Sequence, residues 1–223
     1  TEMSKNINHH EQETVAEAVN QTEHFIEKYK KPLIYSVITI VAIAAVSFAY
    51  QQFYRKPKIN EAMAQSFVAE RYFRADSFAL ALNGDGNALG FKQIISDYGD
   101  KSGEAVYLYA GICELQLGNY KEAIDYLKKY DGEDPILQAR ALCNIGDAYA
   151  FLQDNKEALN YYLKAAKHVD NEYAAGYLLK AGIMYEELGD IENALKSYEE
   201  IKAKYPMTVE GYDIDKYIYR IKK

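Results

Sequence analysis

Tryptophan is absent from these 223 residues, cysteine appears twice and histidine four times. Each shortage removes a class of chemistry. Cys113 and Cys143 stand thirty residues apart with no CxxC and no paired histidine, so no metal site is spelled out. Both read as small buried apolar residues, with a disulfide left open should the body lie in an oxidising compartment. His9 and His10 fall in the N-terminal arm, His24 just before the apolar run and His168 at a repeat end, none set against a candidate nucleophile. No GxxxxGK[ST], GxSxG or HExxH occurs. The Asp85-Gly86 loop lacks the alternating acidic ligands and distal glutamate of a calcium loop. We expect no enzyme, no cofactor, no metal and no small-molecule substrate. Positive charge is short as well. The net charge is −7, and the body is acidic, which argues against a nucleic-acid partner.

What is present begins with one uncharged stretch, Leu33 to Tyr50 (LIYSVITIVAIAAVSFAY). At about 1.5 Å per residue it covers roughly 27 Å, and its uncharged flank to Tyr54 adds more. That is enough for a hydrocarbon core of about 30 Å. Tyr29, Tyr35, Tyr50, Phe53 and Tyr54 mark its ends, where amphipathic rings favour the interface. Lys28, Lys30 and Lys31 precede it, and Arg55, Lys56 and Lys58 follow. Ser47-Phe48-Ala49 mimics a cleavage site, but a glutamate-rich arm of some thirty residues is unlike a signal peptide, so an uncleaved anchor is expected. The bases on both sides leave orientation undecided. The spacing predicts an all-α chain: a polar, amphipathic arm (1–31), a single transmembrane helix (32–54), an elongated degenerate first hairpin (55–103), three repeats (104–206) and a capping helix (207–223). Within the arm, Glu23 to Lys31 reads as a short amphipathic helix. Ile59 to Leu82 reads as one long helix burying Met63, Phe67, Phe73 and Leu80, and Ala88 to Tyr98 as a second.

The repeats are visible by eye. Glu104–Pro135, Ala139–Asp170 and Ala175–Pro206 align, with Gly111, Gly146 and Gly182, then Ala123, Ala158 and Ala194, recurring at spacings of 35 and 36. Small residues there let the two helices of a hairpin cross closely. Tyr107, Tyr149, Tyr185, Tyr126, Tyr162 and Tyr198 hold the aromatic positions, with hydroxyls expected at the surface. Gly118-Asn119 and Gly189-Asp190 supply turns, and Pro135 and Pro206 are expected to end second helices. Gln153-Asp154 departs from the glycine-led turn, Asp170 from the usual proline, and Tyr130 and Ile201 from the late small alanine. Val209 to Lys223, with Tyr212, Ile214, Tyr217, Ile218 and Ile221 at helical spacing, reads as the cap.

The pattern resembles the tetratricopeptide repeat. That resemblance implies a solenoid whose concave face, lined by the first helix of each hairpin, binds protein. In its register the groove would be Leu108, Ile112 and Leu115, then Cys143, Asp147 and Phe151, then Leu179, Ile183 and Glu186. Leu108 and Ile112 stand where a dicarboxylate clamp would need Lys and Asn, so an extended or helical apolar segment is the better fit. The whole-chain order, above all FIEKYKKPLIYSVITIVAIAAVSFAYQQFYRK, resembles the YfgM-type ancillary subunits of the bacterial Sec translocon. That resemblance implies an inner-membrane protein with a cytoplasmic arm and periplasmic repeats. Its implied partners are translocon subunits, a membrane-anchored peptidyl-prolyl isomerase and exported chains passed on to periplasmic chaperones. The alternative is an adaptor scaffolding another cell-envelope assembly complex.

Overall fold

The computed structural model describes residues 29–222. The amphipathic-helix expectation for Glu23 to Lys31 lies largely outside them, as do His9, His10 and His24. The chain divides into two units, Thr1–Pro57 and Lys58–Lys223.

In the first unit, α1 (29–50) runs into a π-helical turn, Gln51–Arg55. The turn has a local cause. Pro57 has no N–H to donate to the carbonyl four residues back, and the Lys56 N–H bonds Gln51 instead. Large apolar side chains stand open along α1, with Ile40 67 %, Val46 70 % and Phe48 70 % exposed. Two of its hydroxyls are absorbed by the helix itself: Ser36 donates to the Pro32 carbonyl at 2.9 Å and Thr39 to that of Tyr35 at 2.8 Å. The helical run containing α1, Tyr29–Arg74, is long and apolar enough to cross a membrane by length and composition.

The second unit is all helix apart from one isolated bridge, Gly84 to Leu89, among the described residues. Its elements are α2 (Lys56–Arg74, beginning at the boundary), α3 (Phe78–Asn83), α4 (Phe91–Tyr98) and a 3-10 turn (Gly99–Lys101). Three hairpins follow: α5 (Glu104–Gln116) with α6 (Tyr120–Leu127), α7 (Pro135–Phe151) with α8 (Asn155–His168), and α9 (Tyr173–Glu187) with α10 (Ile191–Lys204). Helix α11 (Val209–Ile221) closes the stack.

The expected long helix from Ile59 to Leu82 is two helices. Asp76, at φ 53°, takes the left-handed conformation that aspartate tolerates, and the chain turns into α3. The buried face is also not that of Met63 and Phe67. Ala62, Ser66 and Ala69 pack inward, with Phe73 on the same face packed against the core as expected, while Met63 and Phe67 stay open and Leu80 is 41 % exposed. Periodicity located the stripe of large residues but not the closely packed small one. Helix α4 starts three residues later than expected because Asp85 organises the preceding loop. Its carboxylate accepts from the N–H groups of Asn87 (2.9 Å) and Ala88 (2.7 Å) and from the Tyr72 hydroxyl (2.6 Å). The Tyr72 hydrogen bond, then the two amides, hold this carboxyl down at about 2. Since its folded value is depressed, its stabilisation is present above the unfolded value near 4 and disappears as pH falls towards 2. Asp85→Asn should remove that acid-sensitive component, read as hydrogen-exchange protection of residues 84–89 between pH 4 and 2.

The hairpins close as their sequence implies. A Cβ at Gly111 would stand 2.5 Å from Leu127, and one at Gly146 would stand 2.7 Å from the Tyr162 ring. At Gly182 it would run into the ring of Tyr198, and Ala123, Ala158 and Ala194 are wholly buried. Gly118 (φ 82°) and Gly189 (φ 78°) take left-handed turns. Gln153 holds the same turn at φ 62° without glycine's freedom. Gln153→Gly should therefore raise stability by about 1 kcal/mol, measured by urea unfolding. Pro135 corrects its expected role. It opens α7 at its first turn, with the Asp134 carboxylate accepting from Ile136 N at 2.8 Å, while α6 has ended at Leu127.

Candidate protein-binding surface

The residues expected to line one groove fall into five environments. Leu108, Ile112 and Leu115 are buried together with Ala141, Ile145 and Ala148 of α7, so they form the joint between the first and second hairpins and line no open surface. Cys143 is buried with Ala158, Tyr162 and Ala181. Leu179 packs against the core of the third hairpin, whereas Ile183 is half-buried. Phe151, 63 % exposed, stacks on Tyr120 of the preceding hairpin with ring centroids 4.8 Å apart. Asp147 and Glu186 are engaged in charged joints. The physical reason is packing order: in a tight stack, the apolar residues of each first helix are consumed by the next hairpin before any partner arrives.

The charged joints were not legible in the sequence. Asp147 accepts from Tyr162 Oη at 2.8 Å and from Lys180 Nζ at 2.5 Å, joining α7, α8 and α9. Glu186 accepts from the Tyr198 hydroxyl and, at 2.6 Å, from Arg220 of α11. Wholly buried Glu114 pairs with Lys92 of α4 at 2.7 Å and accepts from Asn119 Nδ2 at 2.7 Å. Each joint sets an acid of a first helix against a base from a neighbouring element 22 to 34 residues away, a separation that no local pattern signals. Tyr162 and Tyr198 thus turn their hydroxyls to carboxylates rather than to water. Burial first, then the adjacent acid, pushes both phenols up.

Burial also pushes the Cys113 and Cys143 thiols up to about 12, so both stay protonated at neutral pH. They are free and sit in separate cores. Native protein should leave both unlabelled by iodoacetamide over a time in which urea-unfolded protein labels fully.

The open surface is mixed. A cavity of about 410 Å³ lies between the start of α5 and the segment after α6, lined by Asp100, Gly103, Glu104, Tyr107, Lys129 and Asp131. Among the described residues no group of three or more His, Cys, Asp or Glu is arranged to hold a metal ion. Stacked helix hairpins with closely crossed pairs and a terminal cap define a repeat scaffold of the kind that binds other proteins.

Comparison with known proteins gives the class its name. Tetratricopeptide-repeat family models match residues 91–135, 139–167 and 177–206, and the body of the chain is a tetratricopeptide-repeat solenoid. No catalytic family is among these matches. The 43 kDa receptor-associated protein of the synapse from Gallus gallus is 31 % identical over 108 residues, 43 % of this chain. The match spans about a quarter (26 %) of that relative's length. Two crystal structures of MamA share the fold at 21 % and 20 % identity, with TM-scores of 0.55 and 0.57. They cover 70 % and 72 % of this chain, and 84 % and 82 % of their own.

Proposed function

We propose that the chain is a membrane-tethered protein-interaction module serving protein export, an ancillary translocon subunit that passes exported polypeptides to periplasmic chaperones. In this reading α1 crosses the bacterial inner membrane once, the arm is cytoplasmic and the repeats are periplasmic. The observation that carries it is the union on one chain of an apolar helix with no buried face and a protein-binding solenoid. Tyr50, Phe53 and Tyr54 beside Arg55 and Lys56 suit one membrane interface. The partners are translocon subunits, a membrane-anchored peptidyl-prolyl isomerase and exported chains. The contact surface falls to the site residues that keep solvent access, Asp147, Phe151, Leu179, Ile183 and Glu186.

A second reading, a structural adaptor for another envelope complex, is favoured by one observation. Burial of Leu108, Ile112 and Leu115 leaves a mixed polar surface, better suited to a folded partner than to an unfolded chain. Tagging the full chain, crosslinking it in cells and identifying what is captured separates the two. Translocon subunits together with exported chains support the export role; a single stoichiometric envelope complex without the translocon overturns it.

A further inference from the structure

A terminal repeat normally shows a polar outer face to water. Helix α11 does not. Its inner face is spent: Ile214 and Ile218 are buried against the third hairpin, with Tyr217 and Ile221 beside them. On the opposite side Val209 is 79 %, Tyr212 73 % and Tyr219 66 % exposed, and Met207, just before the helix, is 80 % exposed. Together with Lys216, these three helix residues form one narrow stripe, since positions 209, 212, 216 and 219 share a face of a 3.6-residue helix.

The stripe is self-complementary. Val209 and Tyr219 lie equally far from residue 214, and so do Tyr212 and Lys216. Two copies of α11 packed antiparallel about a two-fold axis through that point set Val209 against Tyr219 of the second copy, and the Tyr212 ring against its Lys216 ammonium. The first contact buries apolar surface; the second places a cation on an aromatic face. Each pair occurs twice, as an isologous interface requires. The flanking charges do not oppose the approach, because each is already matched within its own chain: Asp213 to Lys216 at 2.7 Å, Asp215 to Lys202 at 2.6 Å and Arg220 to Glu186 at 2.6 Å.

We propose that the outer face of α11 is a homodimer interface, occupied by α11 of a second copy in antiparallel register. The area offered by one helix is modest beside the roughly 800 Å² per partner of a standard interface. Confining both copies to one membrane raises their effective concentration and offsets that shortfall. This inference rests on the membrane tether of the proposed function but not on any role in export.

The test uses the full chain in native membranes, with two differently tagged copies. Positions 209 and 219 are about 15 Å apart along one helix, so the register decides which cysteines meet. Mild oxidation of cells carrying Val209→Cys on one copy and Tyr219→Cys on the other should give a disulfide-linked dimer of both tags. Neither variant alone should give one, and Tyr212→Asp on both copies should abolish it; the buried Cys113 and Cys143 stay out of the reaction. A dimer from Val209→Cys alone would overturn the antiparallel register. Monomer only, or a link to a different polypeptide, would overturn the dimer.

Discussion

Gly182→Ala should lower the stability of the solenoid by about 1–3 kcal/mol, although it adds a single methyl group to an exchange that ordinarily favours a helix. The added carbon has nowhere to go. It meets the ring of Tyr198, which is wholly buried and held from its far end by the hydroxyl's bond to Glu186. Relief requires the ring to slide, and sliding breaks the joint that Arg220 completes. The loss should appear in urea unfolding as a lower midpoint at unchanged slope. Gly211→Ala is no substitute control, because a side chain there meets the backbone of Tyr205 and Pro206. Gly86→Ala is the informative comparison: nothing lies within 4 Å of a Cβ at that position, so its cost comes only from the φ of 89°. A Gly182→Ala protein as stable as wild type would mean that the helices cross less closely than described.

Lys92→Met should cost more than any surface ion pair is worth. Exposed pairs contribute about 0–1 kcal/mol, but Glu114 is wholly buried and would be left holding its charge with only Asn119 for support. Breaking a buried pair from one side costs about 3–5 kcal/mol. Lys92 is itself 42 % exposed, so a loss of about 2–3 kcal/mol is expected here. The double variant Lys92→Met/Glu114→Leu should recover most of it, to within about 1 kcal/mol of wild type, because it removes the stranded charge as well as its partner. A double variant no better than Lys92→Met alone would show that Glu114 is needed for packing rather than as a paired charge. The cycle also reports on architecture, since this pair ties α4 to α5 across the junction between the helices before the repeats and the first regular hairpin.

The repeat period, the glycine–alanine crossings, the turns and the cap were legible because each depends on residues close in sequence whose size or backbone freedom has one use. The apolar run was legible for the same reason. What failed depended on which of two faces a helix buries. Met63 and Phe67 on α2 are the larger residues, yet the packed face is Ala62, Ser66 and Ala69, chosen by how near the neighbouring helices come. The groove failed similarly: Leu108, Ile112 and Leu115 have the hydrophobicity of a binding face, but the stacking of α7 takes them first. The charged joints at Glu114, Asp147 and Glu186 were hidden because their bases arrive from other repeats. On helix surfaces, acids and bases otherwise read as solvent-facing residues.

In the proposed reading, a solenoid tethered by α1 meets other polypeptides through α7 and α9. A photo-crosslinking residue placed singly at Phe151 or Ile183 of the full chain in native membranes tests this most directly, with Leu108 as the buried reference. Adducts with other polypeptides are expected from Phe151 and Ile183 and none from Leu108. Adducts from Leu108 alone, or from no position, would contradict it.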